Sequence, residues 1–83
     1  MKGAIFKINN ARGMVAVKTE DGFSVFELTD SSSPEVNDFI EWTPDTSLGN
    51  TKIHNKTQNL AFEAYFQNHH ISLNNLDSQL LIS

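Results

Sequence analysis

The side chains best suited to chemistry in this 83-residue chain are cations and aromatic rings near its start. Lysine and arginine bind phosphate oxygens, and an aromatic ring stacks on a nucleic-acid base. Such a face is predicted from Lys7, Arg12, Met14, Lys18 and Phe26. The alternative interpretation places Met14 and Phe26 in the core and leaves the cations on a solvated rim. The two interpretations differ in one orientation, because Phe26 points outward in the first and inward in the second.

Charge is unevenly distributed along the chain, whose formal net charge is −4. Residues 1–18 hold four basic side chains and no acid, whereas residues 19–45 hold eight acids and no base. Binding to nucleic acid depends on Lys and Arg side chains that neutralise phosphates, so an acidic chain with six basic residues is at a disadvantage in that role. The basic amino-terminal stretch offsets this only in part. A simpler role for the acids is to keep a small domain soluble.

Residue spacing singles out no catalytic or metal-binding set. The chain has no cysteine, which excludes disulfides and thiolate metal sites. His69 and His70 are adjacent, and neighbours in an extended segment point to opposite faces, so this pair does not chelate one ion. The segment Gln67-Asn68-His69-His70 concentrates hydrogen-bonding side chains at a strand end, and we expect it to tie a C-terminal helix to the barrel; contact with a partner is the alternative. Because no nucleophile, base and acid are grouped and no phosphate loop is present, we expect no enzyme activity, cofactor or metal.

The apolar spacing favours strands over most of the chain. Strands are predicted over residues 4–8, 14–17, 23–28, 39–42 and 60–67, and a further short strand is compatible with Ile53. The clearest alternates Leu60, Phe62, Ala64 and Phe66 with polar or small residues. Tight turns are expected at residues 9–13 and at Asp21-Gly22. Phe39, Ile40 and Trp42 are expected to help close the core.

A helix is predicted over residues 72–81. Ser72 is a suitable N-cap, and one apolar stripe contains Leu73, Leu76, Leu80 and Leu81. We expect this helix to cover an open end of the sheet. Five short strands with tight hairpins predict one all-β domain, a small closed or partly closed antiparallel barrel.

Several short motifs follow one another in the first half of the chain. They are Lys2-Gly3-Ala4-Ile5, Asn9, Arg12-Gly13-Met14-Val15-Ala16-Val17, Asp21-Gly22 and Val25-Phe26. In order and spacing they resemble the amino-terminal half of the bacterial cold-shock domain. The resemblance implies a five-stranded OB barrel that binds single-stranded RNA and DNA, so residues 1–83 are predicted to form one OB-like domain.

Most of the stacking aromatics of that family are replaced. The differences are Lys7-Ile8 for Trp-Phe, Met14 and Ala16 for two phenylalanines, and Glu27-Leu28 for Val-His. Only Phe26 and Arg12 carry over residue by residue. Stacking contributes about 1 to 3 kcal/mol per base, so the loss of three or four rings removes most of the affinity of a small face. The family's alternation points Glu27 inward, where a carboxylate needs a partner unless the register differs.

Two functions are therefore expected. The first is a weak single-stranded nucleic-acid binding module that uses the face around Lys7, Arg12 and Phe26. The second is a non-catalytic protein-interaction module, in which Met14, Ala16 and Leu28 contact a protein partner or a second copy of the chain. Since no apolar run reaches the length of a signal peptide or of a bilayer span, we expect a cytoplasmic protein with no membrane contact.

Overall fold

A computed structural model describes residues 1–81, which form six β-strands and a short C-terminal helical segment. The strands are β1 (Lys2–Asn9), β2 (Met14–Thr19), β3 (Gly22–Leu28), β4 (Phe39–Glu41), β5 (Gly49–Asn55) and β6 (Leu60–Ile71). A 3-10 helix at Leu73–Asn75 and the helix α1 at Leu76–Gln79 follow. The predicted domain extends to residue 83, so its final residues 82–83 lie outside the described part. Within residues 1–81, no helix has the length and apolar character needed to cross a membrane.

The strands close an antiparallel barrel in the order β1-β2-β3-β6-β5-β4, with β4 pairing back onto β1. The prediction of a small all-β barrel with a short C-terminal helix is confirmed, although the barrel has six strands rather than five. The additional strand is β5, around Ile53. Its hydrophobic signal is weak because the inward side alternates Ile53 with two buried polar residues, Thr51 and Asn55.

Both predicted hairpins are present. Gly13 ends the β1–β2 turn with φ +67°, and Gly22 begins β3 with φ +101°. These are left-handed conformations that glycine adopts without a steric penalty. The turns therefore lie where the glycine-containing sequences predict them.

The barrel interior is filled by apolar side chains from every strand. Its core consists of Ile5, Val15, Val17, Phe26, Ile40, Trp42, Ile53, Phe62, Ala64 and Phe66. Ile40 and Trp42 lie in this core as predicted, but the same prediction is wrong for Phe39, which is 40% exposed. Because side chains alternate along a strand, burying Ile40 and Trp42 inward turns Phe39 outward.

A second apolar cluster lies outside the barrel, against β2 and β3. It consists of Met14, Ala16, Phe23, Val25, Ile71, Leu76 and Leu80. We call residues 72–81 the C-terminal segment, and the outer side of Met14, Ala16, Phe23 and Val25 the covered face. The segment packs on that face and not over an open end of the sheet, so the predicted placement was wrong. The outer side chains of β2 and β3 are themselves apolar, and burying them under the segment removes them from water.

The helix in this segment is shorter than the predicted span of 72–81. Leu76 and Leu80 are buried, as the apolar stripe predicts, whereas Leu73 and Leu81 are 61% and 57% exposed. With only one turn of α-helix, the four leucines do not share one face. Two of them therefore make the contact with the barrel.

Candidate functional site

The predicted stacking ring, Phe26, lies inside the barrel. It is fully buried, with ring centroids 5.9 Å from Phe62 and 5.4 Å from Phe66. Glu27 points outward instead and accepts a hydrogen bond of 3.4 Å from Gln67 Nε2. The register of β3 therefore differs from the one that the cold-shock resemblance implies, and the prediction that Phe26 contacts a base was wrong.

Met14 and Ala16 occupy positions at which the resemblance places stacking rings, and both lie on the covered face. Met14 is 5% exposed and Ala16 is fully buried, because both pack in one cluster with Leu76 and Leu80. Neither side chain is accessible to a ligand. The predictions that Met14 contacts nucleic acid, or that Met14 and Ala16 meet a partner, were wrong for the same reason: the chain's own C-terminal segment already occupies this face.

The three predicted cations are separated. Lys7 Nζ lies 2.8 Å from Asp77 Oδ1 in the C-terminal segment. Arg12 is exposed in the β1–β2 turn, and Lys18 is exposed near the opposite end of β2. In the structure the three cations therefore do not form a cluster, and none of them lies beside the ring of Phe26.

Two exposed rings that the sequence prediction did not include lie on β1 and β4. Phe6 is 43% exposed and Phe39 is 40% exposed. Phe39 pairs with Ala4, which lies two residues before Phe6, so the three share the outer side of these strands. We call Ala4, Phe6 and Phe39 the aromatic strip.

A strand irregularity sets the position of Phe6. Ile5 pairs with Val17 but Lys7 pairs with Ala16, which leaves Phe6 as an extra residue in β1. Its ring meets Phe23 at a centroid distance of 5.0 Å. Bulges commonly redirect a side chain in this way, and no sequence pattern marked this one. For Phe39 the signal was available, since the spacing of Ile40 and Trp42 already places Phe39 on the opposite side.

Charges of both signs flank the aromatic strip. On the β2 side, Lys18 pairs with Ala4 and lies beside it on the outer surface. On the β4 side, Glu41 follows two residues after Phe39 and pairs with Lys2. The strip therefore has an apolar centre, a cation on one side and a carboxylate on the other.

His69 forms a bridge between three parts of the barrel wall. Its Nδ1 lies 2.8 Å from Ser24 Oγ on β3, and its Nε2 lies 2.6 Å from the carbonyl oxygen of Ser47. The ring stacks 4.9 Å from Phe66. The predicted tie between this histidine and the C-terminal helix was wrong, because His69 joins β6 to β3 and to the β4–β5 connection.

The serine and histidine of this bridge do not form a catalytic pair. Ser24 is 3% exposed, and both ring nitrogens of His69 already have partners. A nucleophile needs access to substrate and a base free to take its proton. Among residues 1–81, no group of three or more His, Asp or Glu side chains is arranged to hold a metal ion.

Asp38 is a buried carboxylate that joins two loops. Its Oδ2 accepts hydrogen bonds from Glu35 N at 2.9 Å, Asn55 Nδ2 at 2.8 Å and Gln58 Nε2 at 2.7 Å. Burial raises the pKa of Asp38, but these three hydrogen bonds outweigh burial and hold the pKa below its usual value of 3.8. The group therefore remains charged at neutral pH and fixes the chain just before β4.

Comparison with known proteins identified no relative. The chain matches no protein-family model, and searches of curated proteins and of solved structures found no significant match. The cold-shock resemblance stays a prediction made from the motifs of the first half.

Proposed function

We propose that this domain is a non-catalytic protein-interaction module. The observation that carries the proposal is the aromatic strip, in which Phe6 and Phe39 remain 43% and 40% exposed on neighbouring strands. Aromatic side chains are enriched in protein interfaces, where burial of a ring is strongly favourable. The face that the resemblance would use for nucleic acid is filled by the C-terminal segment, so the strip is the accessible apolar surface of β1 and β4.

A second copy of the chain is the partner that the strip fits best. In a symmetric dimer, a two-fold axis through Ala4 places the β4 side of one copy over the β2 side of the other. Phe39 of one copy then faces Lys18 of its partner, because both residues lie directly across from Ala4. The strip is small compared with the roughly 800 Å² per partner of a stable interface, so the association is expected to be weak and reversible.

Sedimentation velocity over a concentration series tests this proposal. The expected result is a reversible dimer that dissociates on dilution and is lost in the double variant Phe6→Ser, Phe39→Ser. Tyr65→Ser is the matched control, because Tyr65 is 44% exposed on β6, which is not adjacent to β1 or β4. A monomer at every concentration, or a dimer that the double variant leaves intact, would contradict the proposal.

Single-stranded nucleic-acid binding is the second candidate function. It is favoured by the exposed ring of Phe6 and by exposed Lys18, which lies across from Ala4 on the neighbouring strand; both belong to the basic stretch of residues 1–18. A ring beside a cation is the combination that binds single strands without sequence preference. Fluorescence anisotropy with labelled single-stranded RNA and DNA tests it. Salt-sensitive binding that Phe6→Ala and Lys18→Ala abolish would support it, and no binding at low salt would remove it.

A further inference from the structure

One wall of the barrel has an open strand edge. β5 pairs with β6 along its whole length, from Gly49 to Asn55. On its other side it pairs with β4 only at Asn55 and His54, because β4 ends at Glu41. The first part of β5, before His54, is therefore paired on one side only.

The direction of the unpaired backbone groups follows from the ladder between β4 and β5. The amide of Lys56 donates to the carbonyl oxygen of Phe39 at 2.8 Å, so the hydrogen-bonded pairs of this ladder fall at Lys56 and His54. Backbone groups alternate sides along a strand, and β5 has no register shift against β6. The amides and carbonyls of Lys52 and Asn50 therefore point to the same side as those of His54, beyond the end of β4.

A groove runs along this open edge. It is open to solvent, has a volume of about 910 Å³, and is lined in part by Lys2, Glu41, Trp42, Pro44, Asn50 and Lys52. No strand or loop of the described residues pairs with the outward backbone groups of Asn50 and Lys52. The wall of the groove thus presents an alternating row of backbone donors and acceptors.

We infer that the groove binds an extended peptide segment of a partner protein, which adds to β5 as a further strand and pairs with the backbone of Asn50 and Lys52. An exposed strand edge recognises an extended backbone through its ladder of hydrogen bonds, and side chains on either side supply selectivity. At about 3.3 Å per residue, the edge from Asn50 to Lys52 accommodates a segment of three or four residues. The occupant is therefore a short extended peptide.

The side chain of Lys52 adds a preference to this backbone recognition. It is exposed on the outer side of β5, where Glu63 of β6 lies directly across from it on the side away from the open edge, and within residues 1–81 Lys52 forms no ion pair. A carboxylate directly across from a lysine stabilises a strand pair, whereas a second cation destabilises it. The bound segment is therefore expected to place Asp or Glu opposite Lys52.

This site goes beyond the proposed association through the aromatic strip. The groove lies on the other side of the Lys2–Glu41 pair from Phe39 and Ala4. A failure of peptide binding would leave dimerisation through the strip unaffected, and the loss of dimerisation would leave the groove in place. The double variant at Phe6 and Phe39 separates the two, because it is expected to retain peptide binding.

Hydrogen exchange in the free chain tests the open edge itself. The amides of Asn50 and Lys52 are expected to exchange at least 10-fold faster than those of Thr51 and Ile53, which face β6. Equal protection at all four positions would overturn the inference, because it would show that the edge is already paired.

A displayed library of random eight-residue peptides tests the binding, with the whole chain as bait. Selected peptides are expected to slow exchange at Asn50 and Lys52 and to be enriched in Asp or Glu. Lys52→Pro removes the outward amide without removing a bond to β6, and it is expected to weaken binding at least 10-fold. Lys52→Ala is the matched control: it removes the same side-chain charge but keeps the amide, so it is expected to weaken binding much less than Lys52→Pro does.

A second binding experiment changes the peptide instead of the protein, so its result does not depend on whether Lys52→Pro folds. Methylation of alternate backbone nitrogens of a selected peptide removes donors from one of its edges. One set of methylated positions is expected to abolish binding and the other to leave it nearly unchanged. Failure to enrich any peptide, or binding that tolerates both methylated sets, would overturn the inference.

Discussion

Lys7 Nζ and Asp77 Oδ1 lie 2.8 Å apart and join the first strand to the C-terminal segment across 70 positions of sequence. The two side chains are 43% and 62% exposed, so the pair contributes only about 0 to 1 kcal/mol to the free energy of unfolding. The pair matters because of where Lys7 lies. Lys7 occupies the position at which the cold-shock resemblance has a stacking tryptophan, and the ammonium group of Lys7 contacts Asp77 of the same chain. The same segment is held by a second polar contact, from Asn9 Nδ2 to the carbonyl oxygen of Leu80 at 2.8 Å.

Burial of Leu80 holds the C-terminal segment on the barrel. Leu80 is fully buried in the outer cluster, so Leu80→Ala is expected to lower the free energy of unfolding by about 2 to 5 kcal/mol. Chemical denaturation measures the change. Leu73→Ala is the control, because Leu73 is 61% exposed and its removal is expected to change stability by less than about 0.5 kcal/mol. Similar effects of the two variants would contradict the described packing.

Phe26 is expected to act through stability alone. Phe26→Ala removes a fully buried ring from the barrel interior and is expected to cost about 3 to 5 kcal/mol in the free energy of unfolding. That loss approaches the whole stability of a small domain, so partial unfolding at room temperature is expected. Thermal and chemical denaturation followed by circular dichroism measure it. A variant as stable as the parent chain would show that the ring is outside the core.

The inward and outward faces of a strand were predictable where one face is buried and the other is exposed to solvent. In β6, Phe62, Ala64 and Phe66 alternate with exposed residues, and this pattern was visible in the sequence. In β2 and β3 both faces are covered, one by the barrel core and the other by the C-terminal segment. Their apolar runs therefore carry no alternation that tells inside from outside, and the orientation of Phe26 could not be derived from them.

The two proposed binding surfaces depend on contacts distant in sequence. Exposure of Phe6 depends on the extra residue in β1, and the open edge of β5 depends on where β4 ends. Neither feature has a local signature, because each is set by how the barrel closes between β1 and β4. The cations were correctly seen as exposed or partly exposed, but the sequence did not show that Lys7 would meet Asp77.

Acid is expected to destabilise the domain in part through Asp38. The pKa of Asp38 is lowered in the folded state, so the ionised carboxylate contributes stability above its unfolded pKa of 3.8. This contribution is lost as pH falls below 3.8 towards the lower folded pKa. Asp38→Asn should therefore lower stability by about 1 to 3 kcal/mol at pH 7 and reduce its dependence on pH below 4.

Urea denaturation of the parent chain and Asp38→Asn between pH 7 and pH 3 measures both effects. The two curves of stability against pH are expected to converge towards the acid end. Curves that stay parallel over this range would show that Asp38 has the same affinity for a proton in the folded and unfolded states.

The tautomer of His69 is fixed by its partners. A carbonyl oxygen only accepts hydrogen bonds, so Nε2 of the neutral ring must carry the proton that is shared with Ser47. Nδ1 then accepts from the Ser24 hydroxyl. Long-range proton–nitrogen correlation spectra should show the Nε2–H form at His69, with exposed His54 as an internal reference that averages over both forms. A protonated Nδ1 at neutral His69 would contradict the described bridge.

The C-terminal segment fills the outer face of β2 and β3, and we propose that the aromatic strip is the surface for association. Amide spectra of the isotopically labelled chain, recorded over a range of protein concentrations, test it most directly. Concentration-dependent shifts are expected at Ala4, Phe6 and Phe39, whereas the amides of Met14 and Val25 should not shift. Spectra that are identical at every concentration, or shifts centred on Met14 and Val25, would contradict it.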